Sequence, residues 1–174
     1  MRHYRTLAML GSMCCACFVA AQDGADKMPP DHQFVLKISA WDMAEMNLGN
    51  LAAEKSASPA VKEFGRKMIE HHSKANKDLA ELANKKSMKL AMGMSEEHTK
   101  LRAKLAELNG PVFDRAFLAA QIKDHQDVVA LFEKQIKDGL DDDLKKWATE
   151  NLPREREHLK VAEDLHKKME TDNR

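Results

Sequence analysis

Three runs of this 174-residue chain place their core-type residues at alternating steps of four and three, and a fourth does so more loosely. Such steps bring side chains onto one face of an α-helix, so each run predicts a helix with a single stripe to bury. The first stripe reads Phe34, Ile38, Trp41, Glu45, Leu48, Ala52, after the pair Pro29-Pro30 and an acidic N-cap candidate, Asp31. The second reads Val61, Gly65, Met68, His72, Ala75, Leu79, Leu82, after Ser58-Pro59, a cap with proline at the first helical position. The third reads Asp114, Leu118, Gln121, His125, Val128, Phe132. It opens at the Asn109-Gly110-Pro111 break and closes at Asp138-Gly139, where Gly139 has the place of a glycine C-cap. The fourth carries Leu144, Trp147, His158, Val161 and Leu165, with Pro153 expected to kink it one turn before His158. Between the second and third stripes, Lys85 to Ser95 reads as a polar, Met-rich connection and Glu96 to Leu108 as a short extra helix. No run shows the period-two alternation of a half-buried strand.

Tight turns after the first and third stripes make two helical hairpins, and the longer middle segment joins them. The expected fold is all-α, an antiparallel four-helix bundle with a short extra helix in the middle connection. The bundle occupies residues 31–170, preceded by a flexible segment over 22–30. At a similar height on each stripe stands one metal-ligand type: Glu45, His72, His125 and His158. Glu45 lies 12 residues before Ala57 and His72 lies 15 after it, a difference of only ~4 Å along the hairpin axis. His125 lies 15 before Leu140 and His158 lies 18 after it, again roughly 4 Å. Four such ligand types at one depth, from four helices, point to a site for one transition-metal ion: imidazole and carboxylate suit Zn, Fe, Cu or Mn. Glu155, three residues before His158, is a possible extra ligand. Ferritin-type di-iron sites carry more acid, with a Glu-x-x-His on each of two helices. Here Ile69 and Ile122 stand three residues before His72 and His125. A mononuclear site is therefore expected in place of a di-iron oxidase. Asn76, Asp114 and Gln121 sit one or two turns from a stripe histidine and are natural supporting partners. Taken one at a time, each histidine also reads as a core residue bonded to a carbonyl or carboxylate.

The hairpins carry a faint internal repeat. Glu45-x-x-Leu48-x-x-Leu51 before Val61-Lys62-Glu63-Phe64 echoes His125-x-x-Val128-x-x-Leu131 before Leu144-Lys145-Lys146-Trp147. These segments, with Gly65-Arg66-Lys67-Met68 leading to His72 and Asn76, Phe113-Asp114 leading to His125, and Leu152-Pro153 leading to His158-Leu159, resemble the domain of unknown function 4142 family. The resemblance spans Asp31 to about Lys168. It implies a ferritin-like bundle exported from a bacterial cell, and it implies no activity. Where members of that family commonly show Asp-His, this chain has His71-His72, and the stripe favours His72 as the inward imidazole.

The first 21 residues read as a secretory signal: Arg2 and Arg5, an apolar run from Leu7, and Val19-Ala20-Ala21 before Gln22. Cys14, Cys15 and Cys17, the only cysteines, all fall inside it, so cleavage leaves a domain without thiols. Gly-Ser-Met before Cys14 and Cys-Cys-Ala before Cys17 fit a lipoprotein signal poorly. The expected location is the periplasm. Losing Arg2 and Arg5 from 28 basic residues leaves 26 against 28 acidic ones, a balance that argues against a nucleic-acid partner. No later segment approaches the roughly 20 apolar residues of a membrane span. Met88, Met92 and Met94 offer thioethers that suit Cu(I), though methionine is more often adaptable filler. His32, His98 and His166 read as surface residues.

These features lead to an exported bundle of uncharacterised role whose core holds one transition metal, for metal handling or stress protection. The alternative is a metal-free, non-catalytic module of the cell envelope that binds another protein. No feature specifies a homo-oligomer, a substrate or a reaction.

Overall fold

A computed structural model of the chain describes residues 28–171. The expected signal over 1–21 and residues 22–27 lie outside the described residues. Among the described residues five helices follow one another: α1 (Pro30–Lys55), α2 (Pro59–Lys85), α3 (Glu96–Ala106), α4 (Gly110–Asp138) and α5 (Asp142–Thr171). α1 packs along α2 and α4 along α5 as two antiparallel hairpins. Across the bundle α1 meets α4 and α2 meets α5, while α3 lies in the middle connection against α1 and α4. The fold is the expected four-helix bundle with one short extra helix. Among the described residues no helix is long and apolar enough to cross a membrane.

Two helix starts are capped as local chemistry predicts, and two expected caps depart from it. Ser58 Oγ accepts the Val61 N–H at 3.4 Å and Ser95 Oγ accepts the His98 N–H at 3.1 Å, so both serines cap as their type prefers. Asp31 does not cap α1: the helix begins at Pro30 and its N-cap is Pro29, with no side-chain bond. Asp31 reaches instead to the α4–α5 turn, accepting from the N–H groups of Leu140 and Asp141 at 3.2 and 3.0 Å and from the Gln135 amide at 2.6 Å. Gly139 is the second departure. It lies at the end of α4 in extended backbone (φ −60°, ψ 149°), not in the left-handed conformation of a glycine cap. Space explains it, because a Cβ there would run into the side chain and carbonyl of Gln135. α5 continues as one helix through Pro153.

The apolar core is split in two. One cluster gathers Phe34, Ile38, Leu79, Phe132 and Trp147, with Phe34 edge-on to Phe132 at 5.6 Å. The other gathers Leu48, Val61, Phe64, Met68, Phe113, Phe117 and Leu118. On each long helix a group of buried polar residues lies between members of the two clusters: Asp42 and Glu45 on α1, His72 on α2, Gln121, Asp124 and His125 on α4, Glu155 and His158 on α5. A polar layer thus crosses the middle of the bundle. Close to it, α1 and α2 approach through two glycines: a Cβ on Gly65 would lie 2.7 Å from the Gly49 carbonyl, and one on Gly49 2.6 Å from the Gly65 carbonyl. Glycine at these positions is what permits that separation.

Candidate metal centre

Within the polar layer, one ligand atom from each of His72, His125, Glu155 and His158 comes together, all within 4.8 Å of one another. Those residues are buried, and each has one side-chain atom without a hydrogen-bond partner: Nε2 of His72, Nε2 of His125, Nδ1 of His158 and Oε2 of Glu155. His125 Nε2 and Glu155 Oε2 are 3.8 Å apart, too far for a hydrogen bond. A tetrahedral shell with metal–ligand distances of about 2.0–2.1 Å sets its donors roughly 3.4 Å apart. Closing the four onto one ion therefore takes movements of about an ångström or less per side chain.

The other nitrogen of each imidazole is held by the protein. His72 Nδ1 donates to Asp42 Oδ1 at 2.9 Å, and His125 Nδ1 donates to the Gln121 carbonyl at 2.9 Å. His158 Nε2 lies 2.8 Å from His71 Nδ1, with the two rings stacked at 5.0 Å. Fixing one nitrogen by a carboxylate, a carbonyl or a further imidazole leaves the other bare and aimed, which is how proteins orient metal-ligating histidines. Buried polar groups left without partners cost about 1–3 kcal/mol each, so four convergent ones are unusual in a core that serves packing alone.

The charges of the layer agree with this. Burial raises Glu155 to about 7 against the pull of His72, and it raises Glu45 to about 7 as well, Asp124 and Glu155 adding to the effect. Burial also pulls His72 down, but the carboxylates of Glu155, Asp42 and Glu45 more than reverse it and lift the imidazole to about 9. Burial, reinforced by cationic His72, lowers His125 to about 3 and holds His158 far below the ordinary histidine range. At neutral pH the layer therefore contains one imidazolium at His72 and two neutral imidazoles ready to ligate.

Of the residues expected from the stripes, His72, His125 and His158 converge, and the possible extra ligand Glu155 joins them. Glu45 is not one of the four. It is buried to 1% exposure beside them, neither carboxylate oxygen has a hydrogen-bond partner, and it acts electrostatically on His72. The internal repeat contains a signal for Glu155: it stands 11 residues after Leu144, as His72 stands 11 after Val61. Asp42 escaped the stripe reading, although its position three residues before Glu45 puts both on one face of α1. His71 and His72 divide the labour, His72 facing the centre and His71 supporting His158 from outside. Asn76 Oδ1 has no hydrogen-bond partner, and Asp114 accepts the Ser58 N–H at 3.1 Å, away from the centre. His98 is a correction, because it is only 7% exposed, its Nε2 3.7 Å from Asp124 and its ring against Trp41. The burial comes from α3 folding back onto α1 and α4, which no stripe announces. The methionines of the middle connection part company, Met88 packing on the core and Met92 standing fully in solvent.

No curated protein matches the sequence. Among solved structures the fold is similar to a DUF305 fragment from Deinococcus radiodurans, with a TM-score of 0.72 and 17% identity over 81% of this chain and 97% of that one. At that identity the likeness speaks for the fold alone. The family model described as Domain of unknown function (DUF4142) matches residues 18–165, and the chain belongs to that family.

Proposed function

We propose that the bundle is a metal-binding protein of the periplasm, holding one transition-metal ion through His72, His125, His158 and Glu155, with Glu45 as a further carboxylate beside them. The observation that carries this reading is the pairing of bare inner atoms with satisfied outer ones. A polar network that only sets helix register gains from being internally bonded, and this one leaves its inward atoms unbonded. Three imidazoles and carboxylate without thiolate suit Zn(II), Fe(II), Mn(II) or Cu(II) better than Cu(I). A dication would replace the proton on His72 and offset two of the three negative charges of Asp42, Glu45 and Glu155. Handling or sequestering such an ion, or guarding against the stress it causes, is the role that follows. The residues before α1 support export through their signal-like pattern.

Elemental analysis of the protein purified without a histidine tag or chelator, beside a His125→Ala/His158→Ala double variant, tests this. The expected result is near-stoichiometric metal in the wild type, lost from a variant whose helical circular dichroism is intact. A wild type that is metal-free and takes up none of Zn(II), Fe(II), Mn(II) or Cu(II) would overturn it in favour of a metal-free module that binds another protein.

A further inference from the structure

We propose that His71 is the capture ligand of the centre: an ion loads from solvent through the groove between α2 and α5, is taken first by the His71 imidazole, and passes inward through His158. This rests on the reading of the centre as a metal site. The groove contains a cavity of about 240 Å³ whose lining includes His71, His158, Glu63, Lys67 and Glu157. His158 is thus in the donor set and also at a cavity wall. Three other surface cavities, lined by groups such as Phe34 and Gln135, Trp41 and His98, or Trp147 and Arg154, touch none of the four donors.

His158 is built to face both ways. Its Nδ1 turns to the centre without a partner, while its Nε2 meets His71 Nδ1 at 2.8 Å. Phe64 closes one side of the ring, edge-on at 6.3 Å. His72, His125 and Glu155 lie behind it. An ion in the groove therefore meets half-buried His71, then His158, then the rest. Imidazole at the mouth selects transition ions over Mg²⁺ and Ca²⁺ before the interior is reached.

The alternative is that His71 only orients His158, and rates separate the two. The full chain, its leader cysteines alkylated if retained, is mixed with cobalt(II) chloride and followed by visible absorption, then stripped with excess EDTA. His71→Gln keeps a carbonyl that accepts the His158 N–H but is a poor cobalt ligand. Capture predicts that this variant loads and releases cobalt about tenfold more slowly in each direction, with the same final spectrum and a Kd within about threefold of wild type. Orientation alone predicts near wild-type rates for His71→Gln, and for His71→Ala an affinity loss of about 10- to 100-fold through faster release at an unchanged loading rate. That result overturns the inference, as does loading that is slowed by His98→Ala and not by His71→Gln. A wild type that takes up no cobalt and no other transition ion removes the underlying metal reading itself, which is a different failure.

Discussion

Each histidine of the centre commits one nitrogen to the protein and keeps one without a protein partner, so the committed partners would set the affinity for an ion without touching it. Asp42→Asn removes the carboxylate that holds His72 and should weaken metal binding about 10- to 100-fold while stoichiometry stays the same, as competition titration against a chromophoric chelator would show. The same carboxylates that raise His72 to about 9 make binding compete with a proton. Between pH 7 and 9 affinity should therefore tighten by about tenfold per pH unit, measured in the same titration. The metal-free protein moves the opposite way. His72 has a folded-state pKa above its unfolded value of 6.5, so its contribution is whole below pH 6.5 and is lost as pH rises through about 9. Glu45 and Glu155, raised from 4.5 to about 7, have lost their contribution by then, and His125 and His158 are neutral in both states. Urea unfolding of metal-free protein should show stability falling from pH 7 to 9, by no more than about 3 kcal/mol, with a smaller fall in Asp42→Asn.

At the scale of the helices, the α1–α2 contact positions Asp42 and Glu45 against His72. Gly65→Ala gains up to about 1 kcal/mol of helix propensity, but its Cβ would press on the Gly49 carbonyl at 2.7 Å and the Ala52 methyl at 2.9 Å. Backbone there cannot yield cheaply, and overpacking of this kind costs about 1–3 kcal/mol. The variant should come out net destabilised in urea and bind metal more weakly. The helices themselves were legible because steps of four and three leave little else for Phe34 to Ala52 or Val61 to Leu82 to become. The centre was legible in part: three histidines interrupted stripes at one height, and spacing alone reveals that. Asp42 and His98 were not legible, since an acid or imidazole off the stripe looks solvated until another helix covers it. Asp31 misled for a related reason. Its type suits the cap of its own helix, yet the nearest bare N–H groups belong to a turn more than a hundred residues away.

Seen whole, the molecule divides the donors unevenly between its hairpins. α4 and α5 supply His125, Glu155 and His158, whereas α1 and α2 supply His72 with its support from Asp42 and the adjacent Glu45. An ion would therefore tie the hairpins together across an interface much thinner than the contact within either one. Ligand linkage at a thousandfold excess over Kd adds about 4 kcal/mol to stability, so the melting temperature should rise on loading, a rise that His72→Ala abolishes while the second hairpin retains three donors. With an ion bound, that split would make the centre a proofreader of assembly. Sliding one hairpin by a single helical turn, about 5.4 Å, would carry His72 out of reach of the other three while still matching apolar stripe to apolar stripe. Hydrophobic burial tolerates that error, and coordination does not. A chain that carries its ion has, by the same token, declared its hairpins to be in register.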